Sequence, residues 1–227
     1  MQCVRFKAFF RCRGICSAAI LVLAASACQS TITPVVSLPA SLVAPMPMSV
    51  GIFYDEAFRN HKIQNDTPKY SNLVSDTDIL TGRASVEFFD RIFSDMFETT
   101  VSIKEKSEAF EGREHLDAIV QPALLHMGTY WNEDGMTMIE SVSVRYSVAI
   151  HDTGGAQIRS WTVQGDGRTS QMTGLSSLED AAALAMRDAG ARLMVAIYSD
   201  PNIKKCLDSD SDASRRGEGF LRCIAEQ

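Results

Sequence analysis

The chain has 227 residues and a net charge of −6, enough for one sizeable domain with appendages at its ends. Its acidic balance excludes binding by phosphate neutralisation, so no nucleic-acid partner is expected. Beyond the first thirty positions or so, no stretch reaches the roughly 20 consecutive apolar residues that a spanning helix needs.

The first feature in chain order is a leader. Arg5, Lys7, Arg11 and Arg13 carry its positive charge, with no acidic residue among them. A short apolar run from Ile15 to Ala24 follows, then Ala25-Ser26-Ala27-Cys28. Basic, apolar and small-residue segments in that order make a secretory signal peptide over 1–27. Leu21-Val22-Leu23-Ala24-Ala25-Ser26-Ala27-Cys28 resembles the lipobox of bacterial lipoproteins, with Ala25 where leucine is usual. The resemblance implies a diacylglycerol on the Cys28 thiol, cleavage just before it, and acylation of the new amino group. Gln29 in place of aspartate implies, by the enterobacterial sorting rule, the periplasmic face of the outer membrane. Ala25-Ser26-Ala27 also fits plain cleavage after Ala27, which would leave a soluble chain with a free thiol. Loss of the four basic residues with the leader takes the charge from −6 to about −10.

Residues 28–47 contain Pro34, Pro39, Pro45 and Pro47 among small residues, without helical or strand periodicity. They read as an extended, lipidated tether to a domain over 48–200. Met48 to Tyr54 is a short apolar run and the first expected strand. Asp55 to Asp78 is polar, rich in turn formers, and reads as a long loop or loose hairpin. Val86, Phe89, Phe93, Met96 and Phe97 recur at helical spacing, widened by Phe88 and Ile92, which predicts a helix over about 82–98. Thr99 to Ile103 is β-branched and short, a strand. His115 to Trp131 is apolar but holds Pro122, which implies an edge or a bulge. Asp134-Gly135 signals a hairpin.

The strongest strand pattern is the alternation of Val142, Val144, Tyr146, Val148 and Ile150 with Ser141, Ser143, Arg145, Ser147 and Ala149. Asp152-Thr153-Gly154-Gly155 turns the chain. The returning strand changes apolar phase between Ile158 and Trp161, so a bulge is expected near Arg159-Ser160. Gly165-Asp166-Gly167 reads as the strand's end. Ser176 or Ser177 caps a second long helix, with Glu179 and Asp180 in its first turn. Its stripe is rich in alanine (Ala182, Ala185, Ala189, Ala196), which suggests close packing on a sheet. Asp200-Pro201 stops it. Residues 201–227 read as a polar tail in which Cys206 and Cys223 pair in an oxidising compartment. The whole is α+β, an α/β sandwich: a mostly antiparallel sheet with two long helices on one face.

No segment supplies a nucleophile, a base and an orienting group together. Asp152-Thr153-Gly154 spells the aspartic-protease triplet, but no second triplet exists and the setting is a hairpin turn. Gly165-Asp166-Gly167-Arg168 lacks the lysine and spacing of a phosphate loop. Asp208, Asp210 and Asp212 alternate as calcium ligands do, yet Ala213 and Gly219 stand where the loop needs glycine and glutamate. The four histidines show no metal-ligand spacing. No enzyme activity, metal or cofactor is expected. Tyr130, Trp131 and Trp161 are candidates for an exposed aromatic patch that docks a partner, or for ordinary core.

Three segments together resemble a loose group of bacterial envelope lipoproteins: Pro47-Met48-Ser49-Val50-Gly51-Ile52, Asp117-Ala118-Ile119-Val120-Gln121-Pro122-Ala123-Leu124, and Tyr146 through Gly155 leading on to Trp161-Thr162-Val163-Gln164-Gly165. The group includes curli-secretion-type lipoproteins, the lipopolysaccharide-assembly lipoprotein and auxiliary lipoproteins of ABC transporters. The resemblance implies a small α/β sandwich that assists transport or assembly of an envelope component. The expected partners are the membrane, reached through the lipid, other envelope proteins, and copies of the chain itself. One alternative is a lipid- or glycan-binding module whose pocket is lined by the stripe from Phe88 to Phe97. Another is a hydrolase built on His151 and Asp152.

Overall fold

The computed structural model describes residues 31–36, 44–64, 78–104, 116–134, 137–170, 177–208 and 218–226. The expected signal segment and Cys28 lie outside them, as do Asp210 and Asp212. In chain order the elements are β1 (Thr31–Ile32), β2 (Met46–Phe53), α1 (Glu56–Arg59), β3 (Ile63–Gln64), β4 (Asp78–Ile79), α2 (Thr81–Met96) and β5 (Phe97–Ile103). Then follow β6 (Ala118–Asp134), β7 (Thr137–His151), β8 (Gln157–Ser170), α3 (Ser177–Tyr198), α4 (Pro201–Asp208) and α5 (Glu218–Ala225).

The alternation in β7 does what its period requires. Val142, Val144, Tyr146, Val148 and Ile150 are all buried beneath the helices. Strands β6 and β8 pair with β7 antiparallel along nearly its full length. Strand β2 pairs parallel with β5 on one side and with Ala118–Val120 of β6 on the other. The sheet order is β5-β2-β6-β7-β8. The long meander is thus antiparallel, and the parallel pairs are confined to the β2 end. Both long helices cover one face, as α+β predicts, and they meet where Gly190 of α3 faces Phe88 of α2.

Helix α2 forms because its apolar residues fall on one stripe. Phe88, Phe89, Ile92, Phe93 and Met96 are buried. Leu80 at its N-cap offers no side-chain acceptor. The His61 carbonyl takes that role, accepting the Gly82 N–H at 2.7 Å. Position 82 must be glycine, because a Cβ there would stand 2.4 Å from the Arg59 carbonyl oxygen. His61 itself is half-buried against Thr81, with Nδ1 2.6 Å from the hydroxyl. Burial lowers its pKa below the ordinary 6.5. The unfolded chain therefore binds a proton that the folded one resists. Stability should fall as pH drops below about 6.5, and less so in His61→Gln. Urea midpoints of both proteins between pH 7.5 and 5 measure this.

Several expectations change. The segment from Asp55 to Asp78 keeps its expected loose hairpin, with β3 antiparallel to β4 and residues 65–77 outside the described part, but it gains a short helix: Asp55 caps α1 by accepting the Phe58 N–H at 2.6 Å. The expected bulge falls at Ile158, beside the predicted Arg159, where pairing steps from Ile150↔Arg159 to His151↔Gln157. Pro122 does not lie on an edge strand of the sheet. It lies just past the last residue that β2 pairs, where among the described residues β6 has a neighbour on one side only.

Gly165-Asp166-Gly167 does not end its strand. Strand β8 continues to Ser170, and both glycines sit beneath α3. A Cβ at Gly165 would stand 2.1 Å from the Ala185 carbonyl oxygen, and one at Gly167 2.0 Å from that of Ala181. The glycines and the alanine stripe are two halves of one close contact.

The described parts of the polar tail are likewise structured. Helix α4 starts at Pro201, after Asp200, whose Oδ1 accepts the Asn202 N–H at 3.0 Å. Ile203, Cys206, Phe220, Leu221 and Ile224 join the main core. Cys206 and Cys223 form a disulfide between α4 and α5. Closing a loop of this length stabilises by about 3 kcal/mol in chain-entropy models. Replacing both cysteines by serine should lower the melting temperature by several degrees and loosen α5 first, which hydrogen exchange would resolve.

The N-terminal stretch read as a free tether is partly docked. Strand β1 pairs parallel with β4, and β4 pairs antiparallel with β3. Pro34 is buried and Val36 packs on the main core. No periodicity announces a two-residue strand whose partner is distant in sequence.

Candidate partner-binding surface

Helices occupy one face of the sheet, so the parity of each strand decides what the other face presents. From β7 it receives Ser141, Ser143, Arg145, Ser147 and Ala149, in register with Arg168, Asp166, Gln164, Thr162 and Ser160 of β8. From β6 it receives Gln121, Ala123, His126, Gly128 and Tyr130. Polar side chains dominate. The longer ones bond along the surface: Arg145 Nη2 donates to Gln164 Oε1 at 3.2 Å, and Gln164 Nε2 to Asp166 Oδ1 at 3.5 Å.

At the β2 side this face turns apolar. Phe53, Ile103, Leu116 and Ile119 form a small second core there. Beyond Val120, β6 leaves β2 behind. From Gln121 to Asp134 it has no strand partner on that side among the described residues. Two features mark this free edge. Pro122 has no N–H to offer a partner, and Leu125 is an extra residue that bulges between Leu124↔Tyr146 and His126↔Arg145. Leu125 is 55% exposed and Tyr130 53%, two of the four large apolar side chains most open to solvent among the described residues.

The aromatic candidates are not brought together. Tyr130 pairs with Ser141 on the open face, whereas Trp161 pairs with Val148 and faces the helices. Seven residues of β7 separate the two rows, about 23 Å. Trp161 is half-buried, packs on the core and donates its Nε1–H to Asp200 Oδ2 at 3.3 Å, so it behaves as core. Trp131 lies on β6 opposite Glu140, and its side chain is outside the described part. Leu125 and His126, on the free edge, escaped the sequence reading. Pro122 was the available signal, since a proline inside an apolar strand marks a place with one neighbour missing.

His151 and Asp152 are not arranged for hydrolysis. Asp152 Oδ1 accepts the Gly154 N–H at 2.9 Å and the Ala156 N–H at 2.8 Å, and Gly155 adopts φ 88°. The carboxylate builds the turn. His151 Nδ1 is buried without a hydrogen-bond partner, so no acidic group orients the ring through that nitrogen. The phenylalanine stripe is packed into the core. Phe88, Phe89, Phe93 and Phe97 are at most 3% exposed and contact one another with centroids 5.3 to 6.1 Å apart. The Tyr146 ring packs edge-on beside Phe89 with its hydroxyl 2.8 Å from Ser85 Oγ; burial raises its pKa, against the opposing effect of the Ser85 hydrogen bond. Among the described residues no helix is long and apolar enough to cross a membrane, and no cluster of three or more metal-binding side chains exists.

No family model matches the sequence, and neither does any curated protein. Several solved structures align with parts of it. Protein XCC0632 from Xanthomonas campestris is 8% identical, with 72% of this chain covering 92% of that one at a TM-score of 0.49. A minor lipoprotein from Acinetobacter baumannii is 6% identical over 66% of this chain and 89% of its own, with a TM-score of 0.37. Lipoprotein GNA1162 from Neisseria meningitidis is 10% identical over 66% and 99%, with a TM-score of 0.30.

Proposed function

We propose that this protein is a bacterial lipoprotein, anchored through Cys28 to the periplasmic face of the outer membrane, that assists transport or assembly of an envelope component by binding rather than by catalysis. The anchor rests on the lipobox-like run ending in Cys28. The single observation that supports binding is the free edge of β6, unpaired from Gln121 among the described residues and carrying exposed Leu125 and Tyr130. An edge of this kind accepts an added strand, with backbone hydrogen bonds giving affinity and neighbouring side chains giving choice of partner. The partner is an envelope protein that presents an extended segment. The polar face beside the edge supplies a rim of hydroxyls and amides for the added strand's neighbours.

A photo-crosslinking residue placed at Leu125 or Tyr130 in intact cells tests this. Discrete protein adducts are expected at both positions and none at Arg187, an exposed residue of α3 on the opposite side of the sheet. Equal labelling at all three positions, or none, would remove the edge as the binding site. An adduct of twice the chain's mass would identify the partner as a second copy.

A further inference from the structure

The docking of β1 alters what the lipid at Cys28 can do. Were residues 28–47 free, the chain could span roughly 60 Å between the lipid and β2. Strand β1 begins at Thr31, however, paired to Asp78–Ile79 of the folded domain. Only three peptide links separate Cys28 from Thr31, a reach of about 11 Å. Pro34 is buried and Val36 packs on the main core, so the pairing is backed by side-chain burial. Val35 between them is 83% exposed.

Topology decides which end of the domain this is. Strand β5 runs parallel to β2 and is entered from the C-terminus of α2, so the N-terminus of α2 lies at the C-terminal end of those strands. Strand β4 immediately precedes α2 and therefore lies at that same end. Strand β6 runs parallel to β2 and continues past that end toward Asp134. The small sheet β1-β4-β3 and the outer half of the β6–β7 hairpin thus lie toward one end. The C-terminal part of α3 lies toward the other, since Gly165 and Gly167 of β8 face Ala185 and Ala181 in that order.

We infer that β1 makes the anchor short, so that the domain rests on the bilayer itself with the small sheet turned toward the lipid headgroups. The inference rests on the acylation of Cys28 proposed above. The occupant of this surface is the lipid bilayer. Val35, apolar, open, and within a few residues of the lipid, is the side chain that meets the headgroup layer. In consequence the free edge of β6 lies near the membrane, within reach of a partner that is itself at the membrane surface.

Spin labels on the full acylated chain test this. Val35→Cys and Val195→Cys each place a label at an exposed site, and Val195 lies near the far end of α3, 66% exposed. The proteins are reconstituted in vesicles of phosphatidylethanolamine and phosphatidylglycerol containing a nickel-chelating lipid. Relaxation of the label by headgroup nickel is expected to be several-fold stronger at position 35 than at 195. Equal, weak relaxation at both sites on a chain whose Cys28 peptide carries the acyl mass would overturn the short anchor while leaving lipidation intact. A Cys28 peptide without acyl mass would overturn both.

Discussion

Gly167→Val is expected to destabilise the protein by about 3 kcal/mol or more, with Gly165→Val close behind. The reason is what a side chain there would meet. A Cβ at Gly167 would stand 2.0 Å from the Ala181 carbonyl oxygen and 2.5 Å from the Ala185 amide nitrogen. These are backbone atoms of a helix, which cannot rotate aside as a side-chain end can. Helix α3 would have to lift from β8 as a body. Lifting it would open the contact with Ala181, Ala185 and Ala189, all fully buried. Their small size leaves nothing to refill the gap, and dispersion contacts are lost along the seam. Urea unfolding should show a lower midpoint with an unchanged slope. Gly154→Ala is the control: its Cβ would meet nothing closer than Asp152 Oδ1 at 3.3 Å, in an exposed turn. If Gly167→Val matched that control, the close seating of α3 on β8 would be wrong.

Phe89→Ala is expected to cost about 3–5 kcal/mol, the range for removing a buried aromatic ring. Phe89 is 1% exposed and stands at the meeting point of five rings. Its centroid lies 4.9 Å from Tyr146 edge-on, 5.4 Å from Phe93, 5.3 Å from Phe88 and 5.9 Å from Phe58. Removal would leave a cavity between α2 and the sheet, which neighbouring rings cannot refill without leaving their own contacts. A loss of that size is a large part of an ordinary domain's stability. Phe89→Leu, which keeps most of the volume, should cost markedly less. The same variant weighs the stripe as a ligand pocket. A pocket lining would lose a co-purifying ligand at little cost in stability; a filled core loses stability directly. Thermal melts of the two variants separate the cases.

The elements with a repeating signal are legible in the sequence. The two-residue period of Val142 to Ile150 set β7, and the three- and four-residue spacing of Val86 to Met96 set α2. The alanine run after Ser177 set α3 and even its close seating. Each of these segments carries its own burial pattern, because one face of it must be dry whatever its neighbour is. Asp200-Pro201 as a stop and Cys206 with Cys223 as a pair were also readable, since both follow from local covalent and conformational chemistry.

The functional surface was less legible. Tyr130 and Trp161 looked alike as aromatic residues near hairpins, but the strand parity and register of β7 put them on opposite faces. Leu125 carried no mark in sequence, because nothing local announces the bulge that sets it outside the pairing with β7. The tail helices escaped notice because Ile203 and Cys206, or Phe220, Leu221 and Ile224, are too few to show a period among charged neighbours.

The sequence by itself determined the two long helices, the β-meander and the α+β class, and it carries the pattern of the expected leader and the lipobox-like run at Cys28. Each of these is a local pattern that reads the same in any tertiary setting. The tertiary structure decided the rest. Gly165 and Gly167 resemble a turn until α3 is laid over them, because glycine serves both turns and close approach. Residues 28–47 read as a tether until β4, distant in sequence, captures β1. Among the described residues, β6 has a free edge because β2 is the shorter strand. In all three the deciding contact joins residues far apart in the chain, and no local pattern records it.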